Sequence, residues 1–348
     1  MENSRNGIRV RERRAEIRKR RMWVNGVFFL CRCVILVLLA YGLLEMKGRL
    51  EEMQGEIKRL ENLHQIGQEE SDGSRAGEED GSSHKAGTDA KAASTSPVGM
   101  LEGDYVSSIA SVAVDKPMKR SYVEILQKLE SLSEEDSRIT EILKNSDRYP
   151  EEMLGALANN PEMADFVEGY LNADGTVTGG LTETEREEDF PLLLQWDPRW
   201  GYAPYGNSNI GLAGCGPTSL AMVLYYLTKD ADITPDRIAD YAMEHGYYVE
   251  GAGTAWALME DVPFQYGVQV SKINLAESSM KGQLDMGRVI ICAMRSGDFT
   301  SSGHFIVIIG YDEEGFIVND PNCVARSKER WSYERIENQI NSIWAYSR

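Results

Sequence analysis

The chain has 348 residues, 42% hydrophobic and 26% charged, proportions that exclude both a multi-span transporter and a wholly disordered protein. Its net charge of −18 is segregated: residues 1–22 hold nine Lys or Arg against three Glu, so the remainder carries about −24. An acidic body of that size repels a phosphate backbone, and no nucleic-acid partner is expected.

Residues 23–44 (WVNGVFFLCRCVILVLLAYGLL) give about 22 mostly apolar positions, enough to cross a hydrocarbon core of about 30 Å as one helix. Arg32 sits toward its N-terminal end, where a long side chain can snorkel. The basic cluster Arg11–Arg21 just before it predicts a cytoplasmic N-terminus and a C-terminal body outside the plasma membrane. A cleavable signal sequence ending near Ala40-Tyr41-Gly42 is the alternative. Leu43, Met46, Leu50, Met53, Ile57, Leu60 and His64 then alternate at spacings of three and four, the a/d pattern of a short parallel coiled coil over 45–64 and hence of a homodimer. Gly48 and Gly55 weaken that stalk, and a solitary amphipathic helix on the membrane surface is its rival. Residues 65–103 are dominated by Gly, Ser, Ala, Glu and Asp, and a flexible tether is expected from 65 to about 117.

A helical extension is expected over 118–187. Tyr122, Ile125, Leu126 and Leu129 form one stripe, Ser133-Glu-Glu-Asp136 is a start signal, and Pro150 and Pro161 each stand where a first helical turn tolerates proline. Asn172-Ala-Asp174-Gly175 resembles half a calcium loop but lacks further oxygen ligands and reads as a turn. The body, 188–348, has strand-like runs at Val289–Met294, His304–Tyr311 and Phe316–Asn319 after a helical segment at 212–228. The second run puts Ile306 and Ile308 on one face and Phe305, Val307 and Ile309 on the other, as in a strand buried on both sides. Asp312-Glu-Glu-Gly315 reads as a hairpin turn, making that strand and the next antiparallel neighbours. The fold class is therefore α+β.

Five cysteines in so long a chain do not make a disulfide framework. Cys31 and Cys33 lie in the apolar N-terminal run. Of the other three, Cys292 in VIICAM reads as core and Cys323 as a loop thiol with Cys292 as a possible partner. No Cys-x-x-Cys, His-Glu-x-x-His or Gly-x-x-x-x-Gly-Lys spacing occurs, so no metal or nucleotide cofactor is implied.

The segment Gly214-Cys215-Gly216-Pro217-Thr218-Ser219-Leu220 runs into the apolar AMVLYYL, which places Cys215 at the N-terminal end of a buried helix. There the helix dipole and unpaired backbone N–H groups favour a thiolate, and the flanking glycines would let a substrate backbone come close. A nucleophilic thiolate needs an imidazole to exchange its proton, and the imidazole needs an acceptor to orient it. His304 opens one strand and Asp320 closes its antiparallel neighbour, so the hairpin brings both to one end of the sheet. Asn319 is a rival orienter, but its side chain should point to the opposite face. Gln195, in LLLQWDPRWGY, is the candidate oxyanion donor beyond the Cys215 backbone N–H. His245, at a helix end, reads as a capping residue. Trp196, Trp200, Tyr202 and Trp256 read as core packing, with a peptide groove as the alternative. Gly206-Asn-Ser208-Asn-Ile210 lacks the last glycine of a serine-hydrolase elbow.

Together LLLQWDPRWGYAPYG, IGLAGCGPTSLAMVLYYLT, GYYVEGAGTAWALM, SGDFTSSGHFIVIIGYDEEGFIVNDPN and the closing QINSIWAY resemble the C-thirty-nine-like cysteine peptidases, bacterial papain-like relatives of the bacteriocin leader peptidases. The resemblance covers 188–348. It implies a papain-like α+β fold with Cys215 as nucleophile, His304 as base, Asp320 as its orienter and Gln195 as oxyanion donor, acting on a peptide or protein substrate. The leader peptidases that cut after double glycines are fused to a multi-span exporter with an ATPase, which this chain lacks, so that specificity is not carried over. Two rival readings stand beside a peptidase. One is a hydrolase of peptidoglycan stem peptides on the same scaffold, and the other a non-catalytic surface binding module. A further expectation is that residues 104–187 restrain the site as a pro-region would, leaving 104–348 less active than 188–348.

Overall fold

The computed structural model describes residues 105–251 and 253–348. The expected anchor 23–44, the stalk 45–64 and most of the tether lie outside the described residues. Among the described residues no helix is long and apolar enough to cross a membrane. Of the range expected as tether only 105–117 is described, and it is not solvated throughout: Tyr105–Ser108 is a helical turn, and Tyr105 and Ile109 are buried. Tyr105 sets its ring edge on Trp196, 5.8 Å between centroids, an aromatic contact that ties this turn to the body.

Residues 110–120 form no helix or strand and lead to α1 (Tyr122–Ser133). Ser121 and Glu124 close a reciprocal capping box at its start. The next start signal resolves to Asp136, whose carboxylate accepts the Arg138 N–H and caps α2 (Ser137–Lys144). Pro150 leads into α3 (Glu151–Asn159), and Pro161 opens a short 3₁₀ turn capped by Asn160 ahead of α4 (Ala164–Gly169). Leu129, Ile139, Ile142, Met153, Leu154, Leu157, Phe166 and Val167 build one apolar core, and Leu194, Trp196 and Val324 of the body belong to that same core. The segment 172–175 is a turn in which Asp174 accepts the Thr176 N–H.

The body begins with two helices, α5 (Cys215–Thr228) and α6 (Pro235–Glu244), and continues into an antiparallel sheet. Its strands are β1 (Gln269–Lys272), β2 (Val289–Arg295), β3 (Gly303–Tyr311) and β4 (Phe316–Asn319). After a short helix α7 (Val324–Lys328) come β5 (Arg330–Trp331) and β6 (Ile340–Ser347). The spatial order is β1-β6-β2-β3-β4-β5, so the closing strand lies inside the sheet beside β2. The alternation read from β3 divides two cores. Phe305 and Val307 pack with Leu220, Val223 and Leu224 of α5, whereas Ile306 and Ile308 pack with Phe299, Phe316 and Trp331. An α+β architecture with a sheet buried on both faces is thus what the sequence patterning specifies.

One local reading changes. Cys323 is no loop thiol: it is fully buried, its sulfur accepts the Arg326 N–H at the start of α7, and neither it nor Cys292 is paired. The stretch 204–209 is a tight hairpin, after which Asn209 caps the short helix Ile210–Ala213.

Because Leu194, Trp196 and Val324 are covered by the extension, cutting the chain at 188 would expose them. Each such side chain is worth roughly 1.5–3 kcal/mol of burial. A chain cut to 188–348 is expected to lose the sharp cooperative thermal transition of the full chain; an unchanged melting temperature would contradict the shared core.

Candidate active site

Helix α5 opens at Cys215 with Gly214 as its N-cap and Pro217 in its first turn. The two glycines have a packing reason that the sequence did not disclose. A Cβ on Gly216 would lie 2.7 Å from the Thr254 side chain, and one on Gly214 would lie 2.5 Å from the Ile210 carbonyl oxygen. They let α5 start hard against its neighbours. Cys215 is half-buried, whereas Cys292 and Cys323 are sealed in the core, where burial raises both of their thiol pKa values.

The hairpin of β3 and β4 supplies the next two groups. Val307 pairs with Asn319, so His304 near the start of β3 and Asp320 just past β4 meet at one end of the sheet. His304 Nε2 lies 2.7 Å from Asp320 Oδ1, which leaves Nδ1 as the nitrogen available to Cys215. Asn319 turns the other way, its amide donating to the Pro191 carbonyl, and takes no part in orienting the imidazole. Asp320 is fully buried and accepts two more hydrogen bonds, from Asn322 N at 2.8 Å and Arg326 Nε at 2.6 Å.

Burial alone would push the imidazole pKa down. The Asp320 carboxylate outweighs it, and with a hydrogen bond to the Cys215 side chain raises His304 to about 9. Burial would likewise raise the Asp320 carboxyl, but the Arg326 and His304 charges bring it to about 2. Both residues are therefore charged through the neutral range.

Gln195 is held by the loop that its motif encodes. Asp197 accepts the Arg199 N–H and pairs with the Arg199 guanidinium, which also binds Glu185, while the Gln195 N–H donates to the Pro321 carbonyl beside Asp320. One Gln195 amide hydrogen goes to the Gly211 carbonyl at 2.8 Å, leaving the second for another acceptor. Gln195, Cys215 and His304 line one cleft of about 170 Å³, together with Thr300–Gly303, Asn322 and Arg326.

Pro117 and the extension residues Ala156, Asn159 and Met163 also line this cleft. Both polar atoms of the Asn159 amide bind the Met118 backbone, at 2.9 and 3.1 Å, and fasten residues 110–120 to α3 as a strap, of which Pro117 lines the cleft. The candidate aromatic groove does not border the cleft. Trp196 and Trp200 are core, Tyr202 stacks on Phe166, and the half-exposed Trp256 sets its edge against Trp344. His245 caps α6 and stacks on Tyr241. Among the described residues no cluster of three or more His, Cys, Asp or Glu could hold a metal.

Sequence reasoning missed two contributors, the strap and Arg326. Asp320 and Arg326 lie six residues apart across the start of α7, a spacing with no motif to flag it. An Asp320→Asn change removes the charge that raises His304, so the alkaline inflection expected from His304 in iodoacetamide labelling of Cys215 should fall by about two units. An unmoved inflection would show that Asp320 does not set the imidazole.

Residues 187–348 match the model of the Peptidase_C39 like family. Two solved structures are similar to part of the chain. The peptidase domain of Streptococcus ComA, a bi-functional ABC transporter involved in a quorum-sensing pathway, is 19% identical over 38% of this chain and 89% of its own, with a TM-score of 0.31. A protein described as a C39-like peptidase from Bacillus anthracis is 17% identical over 46% of this chain and 94% of its own, also at 0.31. No curated protein matches. Over residues 187–348 the chain is therefore similar to the C39-like peptidases.

Proposed function

We propose that the chain is a cysteine peptidase that hydrolyses a peptide or isopeptide bond through an acyl-thioester on Cys215. The observation that carries this reading is the buried His304–Asp320 pair at 2.7 Å in the cleft that Cys215 lines. His304 takes the thiol proton and holds it as an imidazolium against Asp320. The thiolate adds to the carbonyl carbon, and the new C–O⁻ is met by the free Gln195 N–H and the Cys215 backbone N–H. His304 then returns the proton to the leaving nitrogen as the C–N bond breaks. In the second half it takes a proton from water, whose oxygen attacks the thioester and frees Cys215.

The apolar run 23–44 and the basic cluster before it support a single-pass anchor in the plasma membrane, with the peptidase outside and the 45–64 stalk pairing two chains. The strap gives the idea of a restraining extension a definite form. Pro117 of that strap lines the cleft while α1 to α4 are part of the fold, so removing the whole extension is not the way to test restraint.

The reading is tested by peptidase activity of the full chain in nonionic detergent against a mixed peptide library, resolved by mass spectrometry. Cys215→Ala should abolish cleavage, and Asn159→Ala, which unfastens the strap, should raise it. Cleavage that survives Cys215→Ala would overturn the assignment of the nucleophile.

A further inference from the structure

Asp320 offers two oxygens, and His304 uses one of them. The other accepts Arg326 Nε at 2.6 Å. Arg326 is only 4% exposed and borders the cleft, yet its Nη1 and Nη2 have no hydrogen-bond partner. A guanidinium buried for packing alone would spend its N–H groups on nearby carbonyls. This one is oriented by Asp320 and leaves its other nitrogens unspent.

Its helix is held from several sides. Glu162 of the extension accepts the Val324 and Ala325 N–H groups at 2.7 and 2.8 Å, capping α7 with a carboxylate. Ser327 Oγ accepts the Asp320 N–H and donates to the Cys323 carbonyl, and Trp331 Nε1 donates to the Arg326 carbonyl. Arg326 therefore meets Asp320 from a fixed direction.

We propose that Arg326 is a positioning residue of the active site, which fixes the Asp320 carboxylate on His304 and shares its charge so that the imidazole can release its proton as well as take it. Thiolate, imidazolium, carboxylate and guanidinium then alternate in sign from the cleft inward, and no buried charge is left without an opposite neighbour. The titratable groups facing Arg326 are Asp320, Cys323 and Glu162, and those facing His304 are Asp320 and Cys215. Without Arg326, deprotonating His304 would strand a buried carboxylate, so the pair would keep its proton to higher pH.

This rests on the cysteine-peptidase reading, and the test separates the two. Iodoacetamide labelling of Cys215 is followed from pH 5 to 11 by site-resolved mass spectrometry on the full chain in nonionic detergent, in wild type, His304→Ala, Arg326→Met and Arg326→Lys, with melting temperatures alongside. His304→Ala should remove the alkaline inflection; if wild type and His304→Ala coincide, the peptidase reading itself falls. Arg326→Met should move the inflection up by roughly one unit. Arg326→Lys keeps the charge and loses the Nε direction, so the inflection should stay while the neutral-pH rate drops roughly ten- to hundredfold. If Arg326→Met does not fold, the lysine variant decides. A folded arginine variant with wild-type rate and inflection and only a lower melting temperature would overturn the proposal.

Discussion

Everything at this site depends on keeping one carboxylate ionised where water cannot reach it. Asp320 is fully buried, and a lone buried carboxylate takes up a proton rather than stay charged. Its oxygens are spent on His304, Asn322 and Arg326, and those contacts hold it charged. Its charge in turn keeps His304 protonated where burial would strip the ring. The sheet, α7 and the Gln195 loop all converge on this residue: β4 ends beside it, Arg326 reaches it from α7, and Gln195 binds the carbonyl of the next residue, Pro321.

The extension belongs to this arrangement and is no mere neighbour. Its core continues through Trp196 into the body, and Glu162 caps the helix that carries Arg326. Pro117 and Asn159 line the same cleft as Cys215. One stretch of chain both supports the charged groups and lines the cleft. An apolar or polar change in α3 or the following turn can therefore reach the cleft without touching substrate.

Much of this was legible in the sequence, because its signals are local. The run from Gly214 to Thr228 announces a buried helix starting at a cysteine, and the period-two pattern of β3 with the Asp312–Gly315 turn sets the hairpin that brings His304 and Asp320 together. What stayed hidden depends on contacts far apart in sequence or on directions that a pattern does not encode. Glu162 and Val324 are 162 positions apart, and the strap is fastened by Asn159 across 41. The glycines beside Cys215 read as room for substrate, but their tight neighbours are Ile210 and Thr254. Cys323 read as loop because it follows Pro-Asn, and it is instead the buried cap of α7.

The central claim is that Cys215 alone among the thiols of the folded body is prepared for chemistry by His304. The direct test is the rate of iodoacetamide labelling at pH 7 of Cys215, Cys292 and Cys323 in the native full chain, each resolved by mass spectrometry, with His304→Ala beside it. The account predicts rapid labelling of Cys215, little at the two buried thiols, and a large loss at Cys215 alone in the variant. Equal slow labelling of all three, unchanged by His304→Ala, would contradict it.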